Sequence, residues 1–205
     1  MKVKREKYTP SDIGPTPSDW EDPYLKDVSI FISNGFVGTA TPFYTGSSGV
    51  AYLYGTNVRE NNVDLKNTRY ITKEFHNRQK KTELRTGDLV TVQSGHIGTT
   101  AVIPLELEGA NCHALIITRL DASIMNPEFL SEYLNSEIGK ARLRGLYVGS
   151  SILHINTKDL KRFRVPLPNV KEQEKIIHIL NAWNKAIDLV ELFIQNSEKK
   201  KKAIL

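Results

Sequence analysis

The C-terminal segment carries an apolar repeat that requires a long helix. Six large apolar residues follow one another at alternating steps of four and three, and form a seam: Ile176, Leu180, Trp183, Ile187, Val190 and Ile194. This spacing places them on one helical face, as in a coiled coil. A helix over residues 171–205 would be about 52 Å long at about 1.5 Å per residue, longer than a domain of this size covers by itself. The seam therefore predicts contact with a second chain or a second repeat.

A terminal helix packed only on its own globular domain is the other interpretation of this repeat. It is less favoured because each large apolar side chain is worth about 1.5–3 kcal/mol when it leaves water, so a permanently exposed stripe is costly. The start of the helix is marked by Asn169 and Glu172, which have the spacing of a capping box. Ser197, Lys201 and Ile204 keep the register to the end without a stop signal, as in a chain cut from something longer.

The residues before this helix are sufficient for one domain. Short apolar runs bounded by turn residues predict strands at 28–32, 51–54, 88–92, 100–104 and 114–118, with a last strand over 163–167. Asn126-Pro127 and Ser136-Glu137 are helix-start signals. The sequence thus predicts an α/β (α+β mixed) domain over residues 1–168, followed by one long spacer and dimerisation helix over 169–205.

Common catalytic and metal-binding patterns are missing from the sequence. It has no Walker phosphate loop, no Gly-x-Ser-x-Gly elbow, no His-Glu-x-x-His pair and no Cys/His cluster with zinc spacing. The single cysteine, Cys112, has the surroundings of a small buried residue. No signal peptide and no run of 18 apolar residues occurs. The sequence predicts a cytoplasmic protein that needs neither a metal nor another cofactor.

Positive charge is concentrated in two stretches. The net charge is +5, and Lys and Arg cluster between residues 59 and 85 and between residues 139 and 164. Basic loops interleaved with amide and hydroxyl side chains suit double-stranded DNA, because cations neutralise phosphates while amides and Arg forks read base edges. As a group, the predicted DNA contacts are Lys66, Arg69, Lys73, Arg78, Lys80, Lys81, Arg142, Arg144, Lys158 and Lys161. A solvated surface without a partner is the alternative for each stretch.

Ordered short motifs resemble the specificity subunit of type I restriction-modification enzymes along nearly the whole chain. They are the strap at 13–20, Gly87-Asp88-Leu89, Ser94-Gly95-His96-Ile97-Gly98, the segments 129–136 and 149–151, and Val165-Pro166-Leu167-Pro168 with Glu172-Gln173. Each motif is weak alone, but their order is specific.

The resemblance implies a non-catalytic target recognition domain. Such a domain reads one half of a bipartite DNA site, and the subunit holds methyltransferase (M) and restriction/translocase (R) subunits around it. The resemblance also implies that the long helix pairs antiparallel with a counterpart and sets the spacing of the half-sites. A helix of about 52 Å exceeds one DNA turn of about 34–36 Å.

The usual subunit of that family has two recognition domains and two helices, whereas this chain has one of each. It is expected to be a natural half-subunit, which would form a symmetric homodimer, or a fragment. The remaining alternatives are a coiled-coil adaptor that binds no DNA, and the recognition part of a larger restriction or methylation enzyme.

Overall fold

The computed structural model describes residues 8–9, 11, 13–149 and 153–204. The motif residues Ser150 and Ser151 lie outside the described part of the chain. The described strands are β1 (Tyr8–Thr9), β2 (Thr16–Pro17), β3 (Ser29–Asn34), β4 (Tyr44–Thr45), β5 (Val50–Leu53), β6 (Val58–Arg59), β7 (Asn62–Val63), β8 (Arg69–Ile71), β9 (Leu89–Val92), β10 (Thr100–Val102), β11 (Asn111–Cys112) and β12 (Leu115–Leu120). The described α-helices are α1 (Lys73–Arg78), α2 (Pro127–Asn135), α3 (Glu137–Arg144), α4 (Thr157–Lys161) and α5 (Val170–Ile204). The predicted mixed α/β class is confirmed.

A four-stranded antiparallel sheet, in the order β10-β9-β12-β3, forms the middle layer of the fold. Side chains alternate along β12, so Ile116 joins the apolar core beneath the helices while Leu115 and Ile117 join the core on the other face. Leu89 and Val90 divide in the same way on β9. The two central strands are therefore covered on both faces, as their nearly continuous apolar sequence requires.

A second sheet, β11-β5-β8-β4, carries an aromatic core of its own. Phe43 stacks on Phe75 with ring centroids 4.2 Å apart, and Phe36 meets Phe75 edge-on at 5.1 Å. Such ring contacts add to the free energy gained from burial alone. The aromatic residues between positions 36 and 75 thus form a rigid support for the surface loops beside them.

Helix α2 is fixed to the sheet by the Asn135 side chain, whose amide bonds to the backbone of β10 as a neighbouring strand would. Asn135 accepts a hydrogen bond from the Thr100 backbone N–H at 3.0 Å and donates one to the Thr100 carbonyl at 2.8 Å. The Asn135 amide also donates to Asn61 at 2.7 Å. Ser136 then caps α3, where a Cβ on Gly139 would lie 2.0 Å from the Tyr133 carbonyl. Only glycine permits this close approach between the two helices.

The prediction of a strand over 163–167 is wrong, because this segment is not part of a sheet. The segment makes isolated bridges to Glu21 and Tyr24, which follow the N-terminal strap, instead of joining either sheet. Leu167 donates a backbone hydrogen bond to Glu21 at 2.8 Å, and Leu25 donates one to Phe163 at 2.8 Å. Pro166 and Pro168 have no N–H to donate, so they interrupt any longer ladder. The strap and this segment together close the domain beside the start of α5.

The long helix is joined to the domain through a buried glutamine. Asn169 accepts the Glu172 backbone N–H at 3.1 Å, which confirms the predicted helix start. Gln173 is fully buried and donates to the carbonyls of Ile124 at 2.9 Å and Pro168 at 2.8 Å. Its side-chain oxygen accepts the backbone N–H of Asn126 at 2.7 Å. All three bonds come from one amide group, which sets the direction in which α5 leaves the domain.

Candidate nucleic-acid interface

Arg69 is held in a fixed orientation on the surface of the second sheet. Its guanidinium donates to the Tyr44 hydroxyl at 2.9 Å and lies 5.0 Å from the Tyr44 ring centre and 5.2 Å from that of Tyr54. Tyr44 and Tyr54 are hydrogen-bonded through their hydroxyls. The bond to Tyr44 raises the pKa of Arg69 further, so the group stays charged. A cation restrained in this way loses little conformational entropy when it binds a ligand.

The Arg69 side chain lines a surface pocket of about 370 Å³. Hydroxyl, amide and imidazole groups surround it on Thr56, Asn67, Ser94 and His96. Asn67 has a φ of 59° and Gly95 a φ of 87°, so two sharp turns form the rim. The pocket therefore presents hydrogen-bond donors and acceptors of several kinds around one guanidinium fork, which is the chemistry that reads base edges.

A neutral histidine supports the wall of this pocket. His113 stacks on Tyr54 with ring centroids 4.9 Å apart, and its Nδ1 lies 3.3 Å from the Tyr52 hydroxyl. Burial lowers the pKa of His113, and burial also raises the pKa of Tyr54. Both rings are therefore uncharged at neutral pH, which leaves Arg69 as the charged group of the cluster.

The loop of residues 93–98 connects this pocket to the second basic stretch. Gln93 donates to the Asn34 side chain at 2.8 Å and accepts the Ile155 backbone N–H at 3.0 Å. Thr157, at the start of α4, also donates to Asn34. The exposed Lys158 follows directly. This polar loop thus lies beside the Arg69 pocket, and its first residue contacts the segment that leads into α4, where Lys158 lies.

Two other predicted cations of the first stretch, Arg78 and Lys80, lie beside the same aromatic support. The Arg78 guanidinium lies 5.0 Å from the ring centre of Phe43, the residue that precedes Tyr44. Lys80 pairs with Glu83 at 2.5 Å and bonds His76 at 3.0 Å. Three further lysines of this stretch are exposed: Lys66, Lys73 and Lys81. The stretch therefore contains cations restrained by neighbours, such as Arg69, Arg78 and Lys80, beside exposed lysines.

The predicted cations of residues 139–164 have unequal positions. Arg142 is half-buried, donates to the Arg164 carbonyl at 2.8 Å and to the Tyr133 hydroxyl, and lies 4.5 Å from the Phe163 ring centre. It holds α3 against the segment that precedes α5, which is a structural role. Arg144 is exposed, and Lys161 is partly exposed. The structure does not bring these three residues to the Arg69 pocket.

The predicted DNA contacts did not include the neutral residues of the pocket. Ser94 and His96 stand in one of the motifs of the family resemblance, whereas Thr56 and Asn67 carry neither a charge nor a motif that would mark them. The available signal was the concentration of turn-forming Asn, Gly and Ser in the two loops, because such loops carry binding residues on rigid scaffolds.

The structure divides the predicted seam between two environments. Ile176 and Leu180 pack against the core of the domain. Trp183, Ile187, Val190 and Ile194 lie 50–66% exposed. A substitution at Leu180 would therefore test folding as well as pairing, whereas the last four residues form a free apolar face.

Among the residues that the structure describes, no helix is long and apolar enough to cross a membrane. Within the same residues, no three His, Cys, Asp or Glu side chains come together as metal ligands. Burial raises the pKa of the Cys112 thiol well above its usual range.

Comparison with known proteins relates this geometry to a family. A model described as the type I restriction modification DNA specificity domain matches residues 17–197. The chain belongs to this family. The match covers the end of the strap, both sheets, the polar loop and most of α5. The specificity-domain family therefore includes the helix as well as the domain.

Curated specificity subunits are longer than this specificity domain. It is 24% identical over 181 residues to the EcoBI specificity subunit of Escherichia coli, a match that covers 88% of this chain and 38% of that protein. It is 26% identical over 208 residues to the MjaVIII specificity subunit of Methanocaldococcus jannaschii, covering 98% and 48%. The chain thus spans less than half the length of these relatives.

Solved structures share the fold of this specificity domain. The HsdS subunit from Thermoanaerobacter tengcongensis superposes with a TM-score of 0.63 and 17% identity, covering 92% of this chain and 48% of that one. A chain from a study of assembly and conformational transition in a type I R-M system gives a TM-score of 0.70 and 18% identity, with coverages of 92% and 44%. At these identities the likeness concerns the fold alone.

Proposed function

We propose that this chain is a DNA sequence-recognition unit of a type I restriction-modification system. It reads one half of a bipartite double-stranded site, and together with its counterpart it holds the methyltransferase and restriction subunits. Residues 1–168 form the recognition domain, and residues 169–205 form the spacer helix. The unit is not catalytic and acts in the cytoplasm, where it has access to DNA.

The observation that carries this proposal is the restrained Arg69 fork in a pocket of neutral polar groups. Free lysines on a surface neutralise phosphates without regard to sequence, whereas a fixed fork discriminates between bases. Arg69 and its pocket supply the second kind of contact, and the exposed lysines around it supply the first. The remaining exposed cations, including Arg144 and Lys158, extend the phosphate contacts.

Selection of bound duplexes from a random DNA pool tests the proposal directly. The purified chain, alone and with a methyltransferase subunit of the same system, is expected to enrich a bipartite motif with a fixed unread gap. A palindromic motif would indicate that two identical chains bind together, because a twofold-symmetric protein dimer binds a twofold-symmetric DNA site. If no sequence were enriched at moderate salt with the methyltransferase subunit present, the proposed recognition function would be contradicted.

Replacing Arg69 by lysine is expected to relax sequence preference at one base position. Lysine keeps the charge but loses the planar fork, which is worth about 1–3 kcal/mol of discrimination, or roughly 5- to 150-fold. The measurement is the affinity for the selected duplex and for its single-base variants. Lys66→Ala is the matched control, since a lost phosphate contact weakens all duplexes alike and lowers the salt slope by about one.

The coiled-coil adaptor is the second candidate function, and the free apolar face of α5 favours it. An adaptor would keep its protein partners when the basic stretches are reversed in charge. Changing Lys66, Lys81 and Lys158 to glutamate separates the two functions, because it abolishes DNA binding in the recognition unit and leaves an adaptor unaffected.

A further inference from the structure

The Arg69 guanidinium has one edge occupied and another edge open. Its Nη1 atom donates to the Tyr44 hydroxyl at 2.9 Å. The edge that consists of Nε and Nη2 has no carboxylate partner among the residues that the structure describes. None of the described residues that line the pocket is acidic. Two parallel N–H donors of one restrained cation are therefore available to a ligand.

Arg119 shows how the same edge binds when two acceptors are present. Its Nε and Nη2 atoms donate to the two carboxylate oxygens of Asp88, and both hydrogen bonds are 2.7 Å long. Two neighbouring acceptors in one plane are the complement of this edge. The open edge of Arg69 therefore fits a ligand with two adjacent acceptors, and in DNA these are a phosphate or the major-groove edge of guanine.

The surroundings of Arg69 favour guanine over a phosphate. A phosphate offers only acceptors, whereas the pocket presents acceptors as well as donors. The Nε2 atom of His96 lies 3.2 Å from the Val58 carbonyl, so Nε2 carries the proton and Nδ1 of the neutral ring is left to accept. Guanine offers N7 and O6 to an arginine fork, and the paired cytosine offers an amino group to an acceptor. The pocket thus contains both kinds of group that the edge of a G·C pair requires.

Two tyrosines fix the direction of the open edge. The guanidinium lies 5.0 Å from the Tyr44 ring centre and 5.2 Å from that of Tyr54, and the two hydroxyls are bonded to each other. Tyr54 is anchored in turn, because its backbone N–H donates to the buried Asn57 side chain at 2.9 Å and its ring stacks on His113. The folded chain therefore orients the two free donors before a ligand binds.

We propose that Arg69 reads one guanine in the major groove of the half-site, through N7 and O6, and that Tyr44 positions it for this contact. This inference rests on the proposed function, and it adds the identity of one base and the residue that orients its reader. Tyr44 does not touch the base, because it acts through the hydroxyl that holds Nη1.

Base analogues in the selected half-site test the guanine contact. 7-Deazaguanine lacks only the N7 acceptor. At one guanine position it is expected to lower the affinity of the chain roughly tenfold or more, because a hydrogen bond to a charged group is lost. Inosine at the same position is the matched control, since it lacks only the minor-groove amino group and keeps N7 and O6. It should leave the affinity within about threefold.

The Arg69→Ala variant tests whether the sensitive guanine is the one that Arg69 contacts. This variant should bind the 7-deazaguanine duplex and the unmodified duplex equally, within about twofold, because the lost group has no partner left. The guanine contact is wrong if the analogue weakens binding of the variant as much as that of the unmodified chain. It is equally wrong if no guanine of the half-site is sensitive to the analogue.

Two further outcomes separate this inference from its alternatives. If Arg69→Ala weakens all duplexes alike and lowers the salt slope by about one, Arg69 binds a phosphate and the guanine contact is overturned. If a bipartite motif is selected but no guanine in it is coupled to Arg69, recognition stands and the guanine contact falls. If no motif is selected at all, both are contradicted.

The Tyr44→Phe variant tests the positioning role. Phenylalanine keeps a ring beside the guanidinium and removes the hydroxyl that holds Nη1. The preference for guanine over the other three bases at that position is expected to fall roughly fivefold. The affinity for a random duplex and the salt slope should stay unchanged, because the charge is still present.

Tyr70→Phe is the matched control for this change. Tyr70 follows Arg69 on β8, so its side chain points to the opposite face of the sheet. It should keep the full preference for guanine. Equal losses in the two variants, or an undiminished preference in the Tyr44 variant, would show that Tyr44 does not position Arg69.

Discussion

Replacing Asp88 by alanine is expected to lower the free energy of unfolding by about 3–5 kcal/mol. Asp88 is 1% exposed and accepts two hydrogen bonds from Arg119, each 2.7 Å long. It also accepts the Arg85 backbone N–H at 2.9 Å. Its removal leaves the Arg119 guanidinium mostly buried and unpaired, which is the costly way to break a buried ion pair.

Chemical denaturation followed by circular dichroism measures this loss. Glu60→Ala is the matched control, because Glu60 is an exposed carboxylate that pairs with Lys140 at 2.8 Å. Exposed pairs are worth about 0–1 kcal/mol, so the control should unfold almost as the unmodified protein does. A loss below about 1 kcal/mol for the Asp88 variant would show that Arg119 finds another partner.

Placing aspartate at both Ile187 and Val190 is expected to convert dimers to monomers. These residues belong to the seam that is predicted to pair with a second helix, and they lie on the exposed part of α5, away from the domain core. Two charges in an apolar layer raise the dimer Kd by at least about 100-fold, since each side chain forfeits roughly 1.5–3 kcal/mol of burial. Analytical ultracentrifugation measures the change, and unfolding of the domain should be unaffected.

Leu189 and Leu192 provide a matched control for this change. Both are exposed apolar residues on the same stretch of α5, but they lie off the seam. Aspartate at these two positions should leave the dimer intact. Monomers from both pairs of changes would mean that the helix associates through its whole surface, without a defined seam.

The long helix was predictable because its signal is local. Heptad spacing and the Asn169 cap depend only on neighbours in sequence, and both gave the element and its start correctly. The part of the seam that the domain covers was not predictable, since it depends on where α2 and the strap lie. Ile176 and Val190 have the same sequence character and differ only in their tertiary surroundings.

The same limit applies to the basic residues. Arg69 and Arg142 look alike in a charge pattern, yet Arg69 faces a surface pocket and Arg142 braces α3 against the chain that precedes α5. Their roles are decided by aromatic and carbonyl groups distant in sequence. The motif Gly87-Asp88-Leu89 likewise has a structural cause, because Asp88 holds Arg119 across the central sheet.

The buried Gln173 amide has an entropic consequence for assembly. Its three hydrogen bonds and its full burial fix the angle between the helix and the domain while the single chain folds. The conformational entropy of that joint is therefore lost during folding and not during the proposed association with DNA and partner subunits. Binding is then tighter than it would be with a flexible joint, because the helix and the domain are already oriented before they bind.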